Sequence, residues 1–243
     1  MNLVIDIGNT RVKAAVFDNG RAVAVHACES FGADEAKRLL ELYPSVEKTI
    51  VSSTAADAAD VARQMRRLAG HCLLFGAGVP VPIRSSYATP ETLGADRIAA
   101  AVGAAWLYPG RNVAIADFGT ALTVDLVTAD GTYRGGFISP GLKMRFRALH
   151  DYTSRLPECS ATERLLPLGD STQSCIEQGV MQGMAAEAEG LIARLRAENE
   201  DLLIIFTGGD AKFFVKRIKN AIFADCEPVL CGLDRILEYN VPE

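Results

Sequence analysis

Three short segments of this sequence have the residue types and spacing needed to hold a polyphosphate. Asp6-Ile7-Gly8-Asn9-Thr10 closes the apolar run Leu3–Ile5, and Asp117-Phe118-Gly119-Thr120 closes the run Val113–Ala116, 111 positions later. Thr207-Gly208-Gly209-Asp210 closes a third run, Leu202–Phe206. A buried strand that ends in Asp-x-Gly puts a carboxylate at its tip and backbone N–H groups in the turn behind it. Such a turn can cradle a phosphate, while the carboxylate can hold the accompanying cation. One copy alone is a common hairpin turn, whereas two at duplicated positions can grip a triphosphate from both sides. Paired glycines between a strand and a helix let backbone approach a flat ligand closely, with helix N–H groups at hand.

An acceptor for a phosphoryl group needs a base and an anchor, and the stretch between the two Asp-x-Gly turns supplies candidates for both. Tyr87 is followed by Gly94-Ala95-Asp96-Arg97, which opens an alanine-rich segment. A carboxylate at a helix N-terminus is favoured as the anion and is available to accept a hydroxyl proton, and a guanidinium beside it can engage an anionic group. The plain alternative is a capping Asp next to a surface Arg. Other chemistries lack their residues: there is no G-x-G-x-x-G, no G-x-x-x-x-G-K-[ST] and no Cys-x-x-Cys, and three dispersed histidines suit neither a zinc site nor a triad. The six cysteines are scattered in apolar company and read as reduced, small hydrophobes.

The elements that must position these residues follow from periodicity. LVIDIG, VKAAVFD and AVAVHA predict three strands, with Asn19-Gly20 as a tight hairpin. Helical spacing predicts helices over 33–43 and from about Ala55 to Leu68, separated by the strand KTIVSS and followed by the strand HCLLFGA. A proline-containing connection leads to an alanine-rich helix from about Gly94, which ends before Pro109-Gly110. The opening pattern then returns as NVAIADFG, LTVDLV and YRGGFIS, followed by a helix after Pro140, a long helix over 172–199 and the strand LLIIFT. The expectation is a duplicated α/β chain, divided into residues 1–110 and 111–243, with a βββαβα order in each lobe and a cleft between them. On the long helix Val180, Met181, Met184, Ala188, Leu191, Ile192 and Leu195 form one apolar stripe, either intramolecular core or a dimer seam. Residues 151–169 carry no interpretable motif and read as a flap or a subunit contact.

The composition is that of an ordinary globular enzyme: 243 residues, 49% hydrophobic, 23% charged, with a net charge of −5. That charge offers nucleic acid or an anionic membrane no uniform attraction. No apolar run approaches ~18 residues, and Asp6 interrupts any leader-like start, so the chain is expected in the cytoplasm.

Taken in order, D-I-G-N-T, S-S-T, Y-x6-G-A-D-R, D-F-G-T-A-x-T-V-D, G-G-x-I-x-P-G, T-x3-I-x2-G and T-G-G closely resemble the type III pantothenate kinases, within the actin-like ATPase, Hsp70 and sugar-kinase superfamily. The resemblance runs from residue 3 to at least 210, and the closing GLDRILEYN is similar to the family's C-terminal helix. It implies two duplicated ribonuclease H-like lobes and an ATP-dependent phosphorylation of pantothenate to 4'-phosphopantothenate, the first step of coenzyme A synthesis. By the same resemblance Asp6, Ile7, Gly8, Asn9, Thr10, Arg11, Val12 and Lys13 line the triphosphate, Thr120 contacts it from the other lobe, and Gly208 and Gly209 serve the adenosine. Asp96 becomes the general base, while Tyr87, Gly94, Ala95, Asp96, Arg97 and Thr172 hold pantothenate. Asp117 becomes the ligand of a monovalent cation, potassium or ammonium, alongside the Mg²⁺ that comes with ATP. A homodimer is implied as well, with neither nucleic acid nor membrane as a partner. The segment after Asp170 departs from the family pattern at Gln173 and Cys175, which makes Thr172 less secure than Asp96. Two rivals remain: another kinase or phosphatase of the superfamily, which has no reason to carry Y-x6-G-A-D-R, and a nucleotide-dependent regulator, which has no need of an acceptor base.

Overall fold

The alternating apolar runs at the N-terminus fold as an antiparallel meander of β1 (Asn2–Ile7), β2 (Val12–Asp18) and β3 (Arg21–Cys28). Asn19 and Gly20, with φ of 49° and 75°, make the β2–β3 turn, the left-handed pair that a two-residue hairpin requires. After α1 (Ala33–Leu42), β4 (Lys48–Ser53) lies parallel to β1, and after α2 (Ala58–Ala69), β5 (His71–Leu74) lies parallel to β4. The connection that follows holds a two-residue strand, β6 (Arg84–Ser85), and a 3-10 turn at Pro90–Thr92 before α3 (Ala95–Leu107). The second meander is β7 (Val113–Phe118), β8 (Ala121–Thr128) and β9 (Thr132–Pro140). It is followed by α4 (Leu142–Asp151), α5 (Thr172–Glu198), β10 (Leu203–Thr207), α6 (Ala211–Val215), β11 (Ile222–Phe223) and α7 (Pro228–Asn240). In this computed structural model the described residues are 1–53, 58–218, 222–223 and 227–241. Thr54 of the S-S-T motif, the expected start of the second helix at Ala55, and Cys226 lie outside them.

The duplication expected from sequence is present in the sheets. The first is ordered β3-β2-β1-β4-β5, and the second, β9-β8-β7-β10-β11, repeats that order with β6 added beside β9. Asp6 and Asp117 occupy equivalent positions at the ends of the two central strands. Their parallel partners are equivalent too, with Asp6 in register with Ser52 and Asp117 with Thr207. The HCLLFGA strand is shorter than its apolar run, because after Leu74 only the Phe75 N–H continues, donating to the Val51 carbonyl.

Two compact units emerge, Met1–Gly110 with Val127–Arg134 and Asp225–Glu243, and Arg111–Leu126 with Gly135–Ala224. In the first, Leu3, Ile5, Val51, Leu39 and Met65 form a core under α1 and α2. The other face of the sheet carries α7, to which Asn2 and Lys48 bond. The Asn2 amide donates to Asp234 at 2.8 Å and to Glu238 at 2.7 Å, and Lys48 Nζ to the Val241 carbonyl at 2.8 Å. α7 packs against α3, an alanine-rich helix buried nearly all round, as its lack of a polar face predicts. The two backbones meet at glycine: a Cβ on Gly103 would lie 1.9 Å from the Pro228 carbonyl oxygen, and one on Gly232 1.8 Å from that of Ala99.

In the second unit α5, about 40 Å long, lays Val180, Met181, Met184, Ala188, Ile192 and Leu195 against Ala114, Ala116, Ile204 and Phe206. The stripe is therefore intramolecular core, which removes the dimer-seam alternative for these side chains. The uninterpreted segment before α5 is tied to that helix: Gln178 receives the Leu166 N–H and donates to the Arg164 carbonyl, and Gln182 donates to the Leu166 carbonyl. Cys28, Cys72, Cys159 and Cys175 are free, while Cys231 is disulfide-bonded, a departure from the reduced state expected for all six. Among the described residues no helix is long and apolar enough to cross a membrane.

Candidate functional site

The first motif turns four residues, Gly8 to Arg11, between β1 and β2, with Asn9, Thr10 and Arg11 exposed. The Gly8 N–H donates to the Arg11 carbonyl at 3.2 Å, and a Cβ on Gly8 would come within 3.1 Å of that oxygen. Antiparallel register sets Lys13 opposite Asp6. The Lys13 ammonium is held by both carboxylate oxygens of Glu227, each at 2.7 Å, at the N-cap of α7. Burial pushes the Asp6 carboxyl up to about 6. Lys13 pulls the other way, and the negative charges of Asp96 and Glu227 raise it further. Two expected residues, Lys13 and Asp96, thus act electrostatically on a third, Asp6. Glu227 joins them from 214 positions along the chain.

Asp96 stands in the first turn of α3, where an anion is favoured by the helix N-terminus. One of its oxygens accepts the Arg97 N–H at 2.8 Å and lies over Gly94, where a Cβ would be only 2.6 Å away. Gly94 thus serves the carboxylate through the space it leaves, since its φ of −57° is open to any residue. Arg97 is buried, and its guanidinium carbon is 5.8 Å from the Tyr87 ring centre, with the Tyr133 ring tilted against that tyrosine at 6.0 Å. An arginine held over an aromatic face is a fixed cation, suited to a carboxylate.

In the second unit the equivalent turn is shorter, β8 beginning two residues after Gly119, and the Gly119 N–H donates to the Ala121 carbonyl at 3.1 Å. Phe118 anchors it, stacked on Phe214 at 4.6 Å and inclined to Phe206 at 4.8 Å. Each of these rings, once buried, stabilises by roughly 1.5–3 kcal/mol. One oxygen of Asp117 fills the space that side chains on two glycines would need, 2.3 Å from a Cβ on Gly208 and 3.0 Å from one on Gly119. Gly208, at φ 95°, therefore spends its missing side chain on the Asp117 turn, whereas Gly209 faces open space. The exposed Thr120 and its neighbour Gly119 point their carbonyls at Gly141, the N-cap of α4, where a Cβ would lie 2.2 and 2.6 Å from them. Lys143, in the first turn of α4, lowers the carboxyl of Asp210, although burial leaves that group raised overall. Thr172 is the exposed first residue of α5, behind the capping pair Ser171 and Ser174.

Glu227, Lys143 and the close-fitting Gly141 had no role in the sequence reading. Gly141 sits in the motif G-G-x-I-x-P-G, so a signal for it existed; nothing in spacing pointed to the other two. Among the described residues no group of three or more His, Cys, Asp or Glu side chains forms a metal cage. Two hollows in the first unit, of about 370 and 720 Å³, share Trp106, Arg235 and Glu238 and are lined by none of the residues assigned to nucleotide or pantothenate.

Residues 2–194 match the family described as type III pantothenate kinase. A protein of Phocaeicola vulgatus named type III pantothenate kinase is 42% identical over 240 residues, covering 99% of both chains. Among solved structures, a Campylobacter jejuni protein described as a conserved Baf family transcriptional activator superposes with a TM-score of 0.61 at 20% identity, covering 98% of each chain. The inorganic polyphosphate/ATP-glucomannokinase of an Arthrobacter species superposes with a TM-score of 0.50 at 13% identity, covering 96% of this chain and 97% of its own. At such identities the two structures speak for the shared duplicated α/β fold alone.

Proposed function

The chain belongs to the type III pantothenate kinase family, and from that premise we propose that it phosphorylates pantothenate with ATP, giving 4'-phosphopantothenate at the entry to coenzyme A synthesis. The observation that carries the reading to the level of chemistry is the Asp96 carboxylate, held over Gly94 at the start of α3 and electrostatically linked to Asp6.

Asp6 through Lys13 receive the triphosphate, with Asn9–Arg11 offering backbone N–H groups and Lys13 its charge. Within the second unit, Thr120 and the Gly208-Gly209 turn are the residues assigned to nucleotide. Tyr87 and Gly94–Arg97 form the acceptor side, with Arg97 pairing with the pantothenate carboxylate, and in the second unit Thr172 is the residue assigned to pantothenate. Asp96 orients the attacking hydroxyl and takes its proton late, because an alcohol is far too weak an acid to be deprotonated beforehand. Negative charge from Asp6, Asp96 and Glu227 around a single Lys13 disfavours a further anion, so the bound phosphates need cations. Mg²⁺ with ATP and a monovalent cation at Asp117 supply that neutralisation when bound. The residues present suit such ions: one carboxylate oxygen among glycine backbone offers hard oxygen donors.

The chain acts as a homodimer in this reading. With the α5 stripe buried in its own core, the contact falls to other apolar groups, and the exposed Ile138, Met144, Tyr152, Leu165 and Leu168 of the second unit support one.

The test is ATP consumption with and without pantothenate, in Mg²⁺ buffer containing either potassium or sodium. Turnover should depend on pantothenate and on potassium, and Asp96→Asn should lose about 10²- to 10⁴-fold in kcat while still binding pantothenate. No stimulation by pantothenate under any cation would reject the substrate, and near-normal turnover of the mutant would remove Asp96 from the base role.

A further inference from the structure

Ser52 is fully buried, yet its hydroxyl has no hydrogen-bond partner among the described residues. A buried, unpaired hydroxyl costs free energy that alanine at the same place would avoid. It stands in parallel register with Asp6. Strand alternation puts the two side chains on one face of the sheet, the face on which Asn2 and Lys48 bond to α7. The second sheet repeats the pairing, with Thr207 buried and in register with Asp117. A carboxylate at the end of the central strand, with a buried hydroxyl on the neighbouring strand, is thus a property of both halves. Packing asks for a small side chain at these positions and gives no reason for a hydroxyl in each.

We propose that Ser52 is a positioning residue for phosphoryl transfer, whose hydroxyl donates to the Asp6 carboxylate when nucleotide is bound and so fixes where that carboxylate points. Thr207 does the same for Asp117. The inference rests on the kinase reading above. In the ligand-free protein the donor is held in reserve. With nucleotide and its cations bound, the Asp6 carboxylate accepts a hydrogen bond from the Ser52 hydroxyl.

Ser52→Ala and Ser52→Thr separate this role from packing. Ser52→Ala should lower kcat about tenfold, leave the KM for pantothenate unchanged and reduce the rise in Tm produced by MgATP. The Tm of the ligand-free protein should stay level or increase, because an unpaired buried hydroxyl has gone. Ser52→Thr, which carries the residue used in the second half, should recover turnover to within about threefold. The proposal is overturned if Ser52→Ala keeps wild-type kcat and nucleotide response, if its loss of activity is matched by a loss of ligand-free stability, or if Ser52→Thr folds normally without regaining turnover. Wild-type protein in the same assay keeps the two readings apart: absence of pantothenate-dependent turnover there rejects the substrate, whereas the MgATP-induced change in Tm still tests Ser52.

Discussion

Gly94→Ala is the substitution that most sharply tests how Asp96 is held. An added Cβ would lie 2.6 Å from the Asp96 oxygen, about 0.7 Å inside an ordinary carbon–oxygen contact of about 3.3 Å. The other near atoms are Arg97 Cγ and Cδ at 3.8 Å, which need not move. Since φ at Gly94 is −57°, alanine fits the backbone and reduces the freedom of the unfolded chain, a gain of about 0.4–1 kcal/mol. The fold should lose nothing, while the carboxylate swings away by most of an ångström. Misplacement of a reacting group by 1 Å costs about a hundredfold, so kcat should fall roughly 10- to 100-fold with Tm level or slightly raised. Steady-state kinetics beside thermal unfolding measures both, and the double mutant with Asp96→Asn completes the cycle. In that background Gly94→Ala should add little, because the group it displaces has already lost its function. Wild-type kcat in Gly94→Ala would refute the placement of Asp96, and a large further loss in the double mutant would show that Gly94 acts by another route.

Gly208→Ala should behave in the opposite way. Its Cβ would lie 2.6 and 2.7 Å from Phe118 backbone atoms, at φ 95°. Backbone strain of about 1–2 kcal/mol and overpacking of about 1–3 kcal/mol should lower Tm by roughly 5–15 °C in differential scanning; an unchanged Tm would contradict the close fit. Asp6→Asn should stabilise the ligand-free protein at pH 7 while abolishing turnover. The unfolded chain releases its Asp6 proton near 3.8 and the folded one near 6, so this group subtracts stability as pH rises through that window, by about 3 kcal/mol at most. Denaturant midpoints of mutant and wild type should accordingly diverge from pH 4 to pH 7; parallel curves would mean that Asp6 ionises normally.

How far the molecule can be read from its sequence depends on whether the signal is local. Apolar runs ending in Asp-x-Gly gave β1 and β7 to within about one residue, and the 111-position echo anticipated two halves that each open on a three-strand meander. Gly94–Arg97 was legible because a helix start is a local event. Glu227 was not, since Lys13 meets it only after α7 has folded back across the sheet, and no spacing encodes that return. The α5 stripe has the same periodicity whether it faces its own sheet or another chain, so only packing against Ala114, Ala116 and Phe206 could decide. Ser52 was visible as part of S-S-T, but its unpaired hydroxyl depends on what surrounds it in space.

The seating of α7 has a consequence for how the protein is made. Asn2 bonds to Asp234, 232 positions later, and Gly103 of α3 waits for the Pro228 carbonyl that covers it. At about 5–20 residues per second, β1 waits roughly 10–50 s of synthesis with one face uncovered, and Gly103 of α3 roughly 6–25 s. Chaperone dependence and sensitivity to premature stop codons should both converge on α7. A nascent chain that ends before it has both Asp6 and Asp96 but lacks Glu227 and the helix that seats beside them.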